Sequence, residues 1–281
     1  MTLSYTGERL TTSVYNDSTV AHLHRYAYAL EYVQDKVVLD IACGEGYGTD
    51  ILSAKASFIH GVDISDEAIA HAKSKYSKKN INFIKGYADN IPLDDESVDI
   101  VVSFETIEHH DKHQEMISEC KRVLKKDGIL IISSPDKYYY SDRRNYKNTY
   151  HVKELYQQEF YELIRTYFTN LFLLKQGNAY GNLIYDTGRE KGINLYSGDY
   201  NTIDKRRDVT FPEFNLIIAS NAALACPPNS FFESELVNKV LIDEANKYKS
   251  MYLNIQQSSY YKLGKLLLKP LAFLKNSTSK K

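Results

Sequence analysis

The stretch Asp40-Ile-Ala-Cys-Gly-Glu-Gly-Tyr-Gly48 follows the apolar run Lys36-Val-Val-Leu39 and precedes a segment of helical character. A glycine-rich turn between a strand and a helix commonly cradles a nucleotide, because backbone N–H groups at the helix start can approach the ligand closely. Three nucleotide readings compete for it. A P-loop ends in Gly-Lys-Ser/Thr, which sets a lysine on phosphates and a hydroxyl on magnesium; Tyr47 and Gly48 stand there instead. A dinucleotide site uses G-x-G-x-x-G over a pyrophosphate, whereas Gly44, Gly46 and Gly48 are spaced G-x-G-x-G and Asp40 closes the strand before them. A carboxylate at that place repels a pyrophosphate and suits a ligand carrying an ammonium group.

Outward from this turn, short β-branched runs alternate with helical patterns. Strands are expected at 36–41, 57–62, 81–84, 98–103 and 129–133, and helices at 18–34, 47–54, 66–77 and 112–124. Gly128, after Leu124-Lys-Lys-Asp127, reads as the stop of the last of these helices. Such alternation implies a parallel, doubly wound α/β sheet with helices on both faces. Beyond it, 151–168 reads as an amphipathic helix, and strands at 171–176 and 214–219 pair antiparallel, since no convincing helix separates them. The 178–213 excursion between them holds Gly181, Gly188, Gly192 and Gly198 and is longer than a plain connection, which favours a lid. The α/β domain is therefore expected over 1–232 and a helical, basic tail over 233–281.

The second expected strand ends at Asp63, nineteen residues after Gly44, where a carboxylate can accept from both hydroxyls of a ribose. The third leads into Gly86-Tyr-Ala-Asp-Asn-Ile-Pro92, where Asp89 can take an adenine amino group and Ala88 offers its backbone. Ribose, adenine and an amino-acid end without phosphate describe S-adenosylmethionine. With these motifs in order, the chain resembles the class I S-adenosylmethionine-dependent methyltransferases from Ser18 to about Ser134. The resemblance implies a Rossmann-like seven-stranded sheet of order 3-2-1-4-5-7-6 with the last strand antiparallel. It also makes Arg25, on the helix before the first strand, the partner of the methionine carboxylate. The cofactor set it implies is Arg25, Asp40, Ala42, Gly44, Gly46, Asp63, Ile64, Ala88, Asp89 and Phe104.

Methyl transfer is an in-line displacement, so the protein mainly positions two reactants. An alcohol acceptor also needs activation, which directs attention to Ser103-Phe-Glu-Thr-Ile-Glu-His-His-Asp-Lys-His113 at the carboxyl edge of the fourth strand. Glu105, Glu108 and His109, with His151 as a fourth ligand, suit magnesium or manganese. Such an ion would lower the acceptor hydroxyl's pKa. The pattern also resembles the metal site of small-RNA 3′-terminal 2′-O-methyltransferases. The alternatives are that Glu108, His109 or His151 acts as acid, base or substrate contact, or that the histidines only cap structure.

The segments 7–33, 150–155, 214–221 and 258–275 resemble methyltransferases of bacterial surface-polysaccharide (O-antigen or capsule) clusters, which implies a sugar hydroxyl or glycan-terminal group as acceptor. Twenty-four tyrosines and no tryptophan suit sugars, whose apolar ring faces stack on aromatics. Tyr138, Tyr139, Tyr140, Tyr146 and Tyr150 lie in the connection beside the expected pocket. A net charge of −1 opposes a nucleic-acid partner. An RNA 2′-O-methyltransferase and a non-catalytic cofactor-binding subunit are the rival readings.

Three cysteines without a CxxC pair argue against a disulfide framework. The N-terminus lacks an apolar signal and the apolar runs are too short to span a bilayer, so a cytoplasmic protein is expected. From Ala245 onward there is no acidic residue but eight lysines. Leucines alternate with lysines in Tyr260–Leu274, a pattern fitted to the anionic inner face of a membrane. Leu241, Ala245, Tyr248, Tyr252 and Ile255 recur at spacings of four and three, the seam of a helical pair and a route to a homodimer.

Overall fold

The computed structural model describes residues 9–13, 16–178, 195–198, 203–206, 212–232 and 235–265. The strands are β1 (Val37–Ile41), β2 (Phe58–Asp63), β3 (Ile81–Lys85), β4 (Val98–Ser103), β5 (Leu124–Pro135), β6 (Asn170–Gln176), β7 (Leu195–Gly198), β8 (Ile203–Arg206) and β9 (Phe214–Ser220). The helices are α1 (Asp17–Ala29), α2 (Tyr47–Leu52), α3 (Asp66–Lys75), α4 (His113–Val123), α5 (Lys137–Tyr140), α6 (Gln157–Arg165) and α7 (Glu235–Gln257). Seven strands form one sheet, in the order β3-β2-β1-β4-β5-β9-β6. The first five run parallel, and β9 lies antiparallel between β5 and β6. This is the expected Rossmann-like order. β7 and β8 form a separate antiparallel pair; the rest of the 178–213 excursion, and with it the lid reading, lies outside the described residues.

The central strands are apolar on both faces, as a sheet covered on both sides requires. On one face Leu39, Ile41, Val101, Leu130 and Ile132 meet Met116, Ile117 and Cys120 of α4 and Phe160 and Ile164 of α6. On the other, Val38, Ile100, Val102, Ile131 and Ile218 meet Tyr26, Tyr28 and Ala29 of α1 and Leu52 of α2. Helix starts follow their caps. Asn16 Oδ1 accepts from Thr19 N while Thr19 Oγ1 accepts from Asn16 N. Ser65 Oγ accepts from Ala68 N, ahead of Asp66 and Glu67 in the first turn of α3.

Two expectations need correction. Gly128 does not end a helix: α4 stops at Val123 and β5 begins at once. Between the pairs Val98↔Leu124 and Ile100↔Ile129 the register shifts, so β5 carries a bulge there. A Cβ on Gly128 would lie 2.9 Å from Lys125 O and 3.0 Å from Asp99 O, so the glycine serves this bulge. Nor is 151–168 one helix. Val152 and Lys153 N–H donate to Glu108 O at 2.9 and 3.1 Å, and Leu155 bridges to Asp136. These tertiary bonds hold the backbone extended until Tyr156, whose N–H donates to Glu159 Oε2 and starts α6.

The chain divides into two compact units, Met1–Phe232 and Glu233–Lys281. No helix among the described residues is long and apolar enough to cross a membrane. Cys43 and Cys120 are buried and Cys226 is exposed, all as free thiols.

Candidate functional site

The glycine turn places three residues at positive φ in alternation, Ala42 at 57°, Gly44 at 55° and Gly46 at 93°. Glycine takes this conformation freely, whereas Ala42 bears a cost of about 1–2 kcal/mol. The wound turn aims backbone N–H groups at the end of β2. Gly44 N donates to Asp63 Oδ2 and Ser65 N to Asp63 Oδ1, both at 2.9 Å. Asp63 is thereby fixed with one lone pair of each oxygen used and the others left for a diol. Ile64, the next residue, is 61% exposed, an apolar side chain available to a flat ring.

Asp40 sits deeper than expected. It is fully buried, and its oxygens accept from Thr49 Oγ1 at 2.6 Å and Tyr26 OH at 3.3 Å. It therefore ties α1 and α2 beneath the turn rather than facing an ammonium group directly. Burial, opposed by these two bonds and helped by Asp63, pushes its pKa up to about 7. Glu45, inside the turn and unremarked in the sequence reading, is also buried. It accepts from Lys75 Nζ at 2.6 Å, Thr12 Oγ1 at 2.9 Å and Tyr76 OH at 2.9 Å. Burial pushes its pKa up, but these partners bring it below the usual carboxylate value. The bond from Thr12 fastens the segment 9–13 across the turn.

Arg25 is 1% exposed yet lies beside the same edge. Its Nη1 donates to Gln176 Oε1 at 2.7 Å and lies 3.7 Å from Glu105 Oε1, and its guanidinium covers Phe104 and Phe214 at 5.9 and 5.0 Å. Nε and Nη2 have no hydrogen-bond partner among the described residues. Two unused donors on a buried cation fit a carboxylate. Ala88 is half-buried against the core, and Asp89 accepts from Lys112 Nζ at 2.5 Å, which holds its carboxyl below the ordinary range.

At the end of β4 the expected quartet separates. Glu105, at φ 50°, accepts from Ser133 Oγ at 2.6 Å and turns toward Arg25, so it belongs to the Arg25 side and not to the metal group. Glu108, His109 and His151 remain together, their ligand atoms within 4.8 Å of one another. Tyr150 N donates to Asn148 Oδ1, which fixes the amide and presents Asn148 Nδ2 to His151 Nε2 at 3.0 Å. His151 Nε2 therefore accepts, and Nδ1–H donates to Glu154 Oε1 at 2.5 Å. His109 Nδ1 donates to Tyr150 O at 3.2 Å, leaving its Nε2 lone pair for chemistry. The two rings stand edge to face at 5.2 Å, and Tyr140 stacks on His151 at 5.2 Å. Sequence reading missed Asn148 and Glu154; the His-x-x-Glu spacing was the available signal for the latter. His110 and His113 face each other instead, and His113 is buried.

Residues 39–132 match the methyltransferase domain family. The fold is that of the S-adenosylmethionine-dependent methyltransferases. A "SAM dependent methyltransferase from Archaeoglobus fulgidus" superposes with a TM-score of 0.52 at 20% identity over 72% of this chain and 93% of that one. The PH0226 protein from Pyrococcus horikoshii gives 0.54 at 19% identity, over 73% and 92%. Among curated relatives, a "Probable S-adenosylmethionine-dependent methyltransferase" of Mycolicibacterium smegmatis is 33% identical over 167 residues, 58% of this chain and 64% of its own length. A ubiquinone/menaquinone biosynthesis C-methyltransferase of Campylobacter jejuni is 37% identical over 106 residues, 35% of this chain and 44% of its own length. The chain thus spans less than two thirds of these curated relatives.

Proposed function

We propose that the chain transfers a methyl group from S-adenosylmethionine to an oxygen of a sugar or glycan-terminal group in surface-polysaccharide biosynthesis. The observation that supports it most is Asp63, fixed by two N–H groups at the end of β2 with both oxygens still able to accept from a ribose diol. Arg25 supports the same cofactor through its two unused donors. When bound, the cofactor supplies an electrophilic methyl on a sulfonium. This chain's own residues hold the diol at Asp63, the carboxylate at Arg25 and the adenine face at Ile64. His109 Nε2 takes the proton from the acceptor hydroxyl, and the bond from Nδ1 to Tyr150 O steadies the ring. His151, engaged at both nitrogens, positions rather than reacts. The C-methyltransferase relative makes a carbon acceptor the rival outcome.

The test is a mass-spectrometric screen of nucleotide-sugars, short glycans and phenolic or quinone acceptors for a gain of one methyl. Methylation of a sugar oxygen is expected; methylation of carbon alone would remove the reading. Asp63→Ala should weaken S-adenosylhomocysteine binding by about 1–3 kcal/mol, measured by calorimetry, because the diol loses its acceptor.

A metal reading keeps one specific support, the convergence of Glu108, His109 and His151. Magnesium or manganese there would take His109 Nε2 as a ligand, and His151 would have to release Asn148 to join. Chelator decides between the readings. Full turnover in EDTA leaves His109 as base, while loss restored by manganese makes it a ligand.

A further inference from the structure

Thr49 Oγ1 and Tyr26 OH close over the buried Asp40, so the ammonium of a bound S-adenosylmethionine needs another acceptor. Glu105 stands where one is needed. Ile41 of β1 pairs with Val62 on one side and with Ser103 on the other, and Asp63 and Glu105 emerge just beyond that level from the two strands flanking β1. Two strand spacings amount to about 10 Å. A ligand whose ribose sits at Asp63 therefore brings its far end across the glycine turn to Glu105.

The side chain is held there against backbone strain. Glu105 has φ 50°, a conformation that a non-glycine residue keeps only where its surroundings impose it. The buried Ser133 fixes it twice: Ser133 Oγ accepts from Glu105 N at 3.2 Å and donates to Glu105 Oε1 at 2.6 Å. Oε1 also lies 3.7 Å from Arg25 Nη1, too far for a hydrogen bond. Oε2 has no hydrogen-bond partner among the described residues, and the side chain is 14% exposed against 1% for Arg25, so a ligand can reach it. Arg25 and Glu105 together make a net-neutral pair with unused capacity of both signs, Nε and Nη2 on one side and Oε2 on the other. A ligand carboxylate alone would satisfy Arg25 and be repelled by Glu105. A zwitterion satisfies both and leaves the charge of the site unchanged. We propose that Glu105 receives the α-ammonium of the cofactor, so that the two residues select a free α-amino-acid end. This rests on the S-adenosylmethionine reading above and deepens it.

Calorimetry on the full chain tests the pair with S-adenosylhomocysteine and with its deamino analogue, which keeps the carboxylate. The wild type should bind the deamino analogue about tenfold or more weakly than S-adenosylhomocysteine. Glu105→Gln should weaken S-adenosylhomocysteine by a similar factor and bind the deamino analogue at least as tightly as the wild type does. Glu105→Gly, which takes the positive φ freely, should lose the same discrimination, so the result does not hang on the folding of one variant. Equal affinity of the wild type for the two ligands overturns the proposal. So does an equal loss for both ligands in the variants, which would make Glu105 only a prop for Arg25. A wild-type chain that binds neither ligand would instead remove the S-adenosylmethionine reading itself.

Discussion

Burial pushes the Asp40 carboxyl from its ordinary 3.8 up to about 7, against the bonds it accepts from Thr49 and Tyr26. The unfolded chain releases the carboxyl proton near pH 4 and the folded chain retains it until about 7. The native state therefore binds more protons in that window, and stability falls as pH rises through it. Asp40→Asn should remove this fall, making the variant more stable than wild type at pH 8 by as much as a few kcal/mol and nearly equal at pH 4. Urea denaturation at the two pH values measures it, and an unchanged pH slope would exclude Asp40. A cofactor bearing an ammonium and a sulfonium favours the charged form, so its affinity should rise with pH up to about 7 and flatten in the variant. At this scale the sequence placed Asp63 beside the glycine turn, because it stands at the end of its own strand, where Gly44 N and Ser65 N donate to it. It could not show that Thr49 and Tyr26 close over Asp40, or that Asn148 occupies His151, since those are contacts made by tertiary folding.

A histidine base leaves its own kinetic signature. Turnover should fall by about 100-fold or more in His109→Gln and clearly less in His151→Gln, with S-adenosylhomocysteine affinity unchanged in both. Equal losses in the two variants would transfer the base role elsewhere.

Elements were legible where local pattern and tertiary demand agree. The apolar runs of β1, β2, β3 and β4 and the starts of α1 and α3 were placed within a few residues, because those strands are carried by local apolar runs and a helix start by its local pattern. The bulge at Gly128 and the extended 151–156 were not, because each depends on a partner strand or on Glu108 O. Gly48 shows how closely two elements meet. A Cβ there would fall 1.9 Å from Tyr26 Cζ, so α2 and α1 pack backbone against ring. Tyr26 is itself wedged edge-on against Tyr47 and Phe104. Gly48→Ala must displace Tyr26, strain the bond to Asp40 and disturb the neighbouring Arg25. We expect a loss of about 1–3 kcal/mol in stability together with weaker S-adenosylhomocysteine binding. Denaturation midpoints and calorimetry check the pair, and an unaffected protein would show that the ring moves freely.

At the scale of the whole molecule, the charge is divided as the units are. The unit Met1–Phe232 holds the sheet and the site, while the chain from Ala245 onward has eight lysines and no acid. On α7, Ile242, Tyr248, Met251, Tyr252 and Ile255 are each at least half exposed, an amount of apolar surface that solvated helices seldom carry. In sequence Tyr260–Leu274 adds leucines flanked by Lys262, Lys265 and Lys269. We propose that this tail attaches the protein to an anionic membrane surface, where each lysine near the leaflet contributes roughly 1 kcal/mol and several together give weak, salt-sensitive binding. Anionic liposomes test it by sedimentation. The full chain should pellet at low salt and be released at high salt, while a chain ending at Gln257 stays in solution at both. If both chains remain in solution and the full one instead sediments as a dimer in the ultracentrifuge, the apolar face belongs to a second copy and the membrane proposal falls.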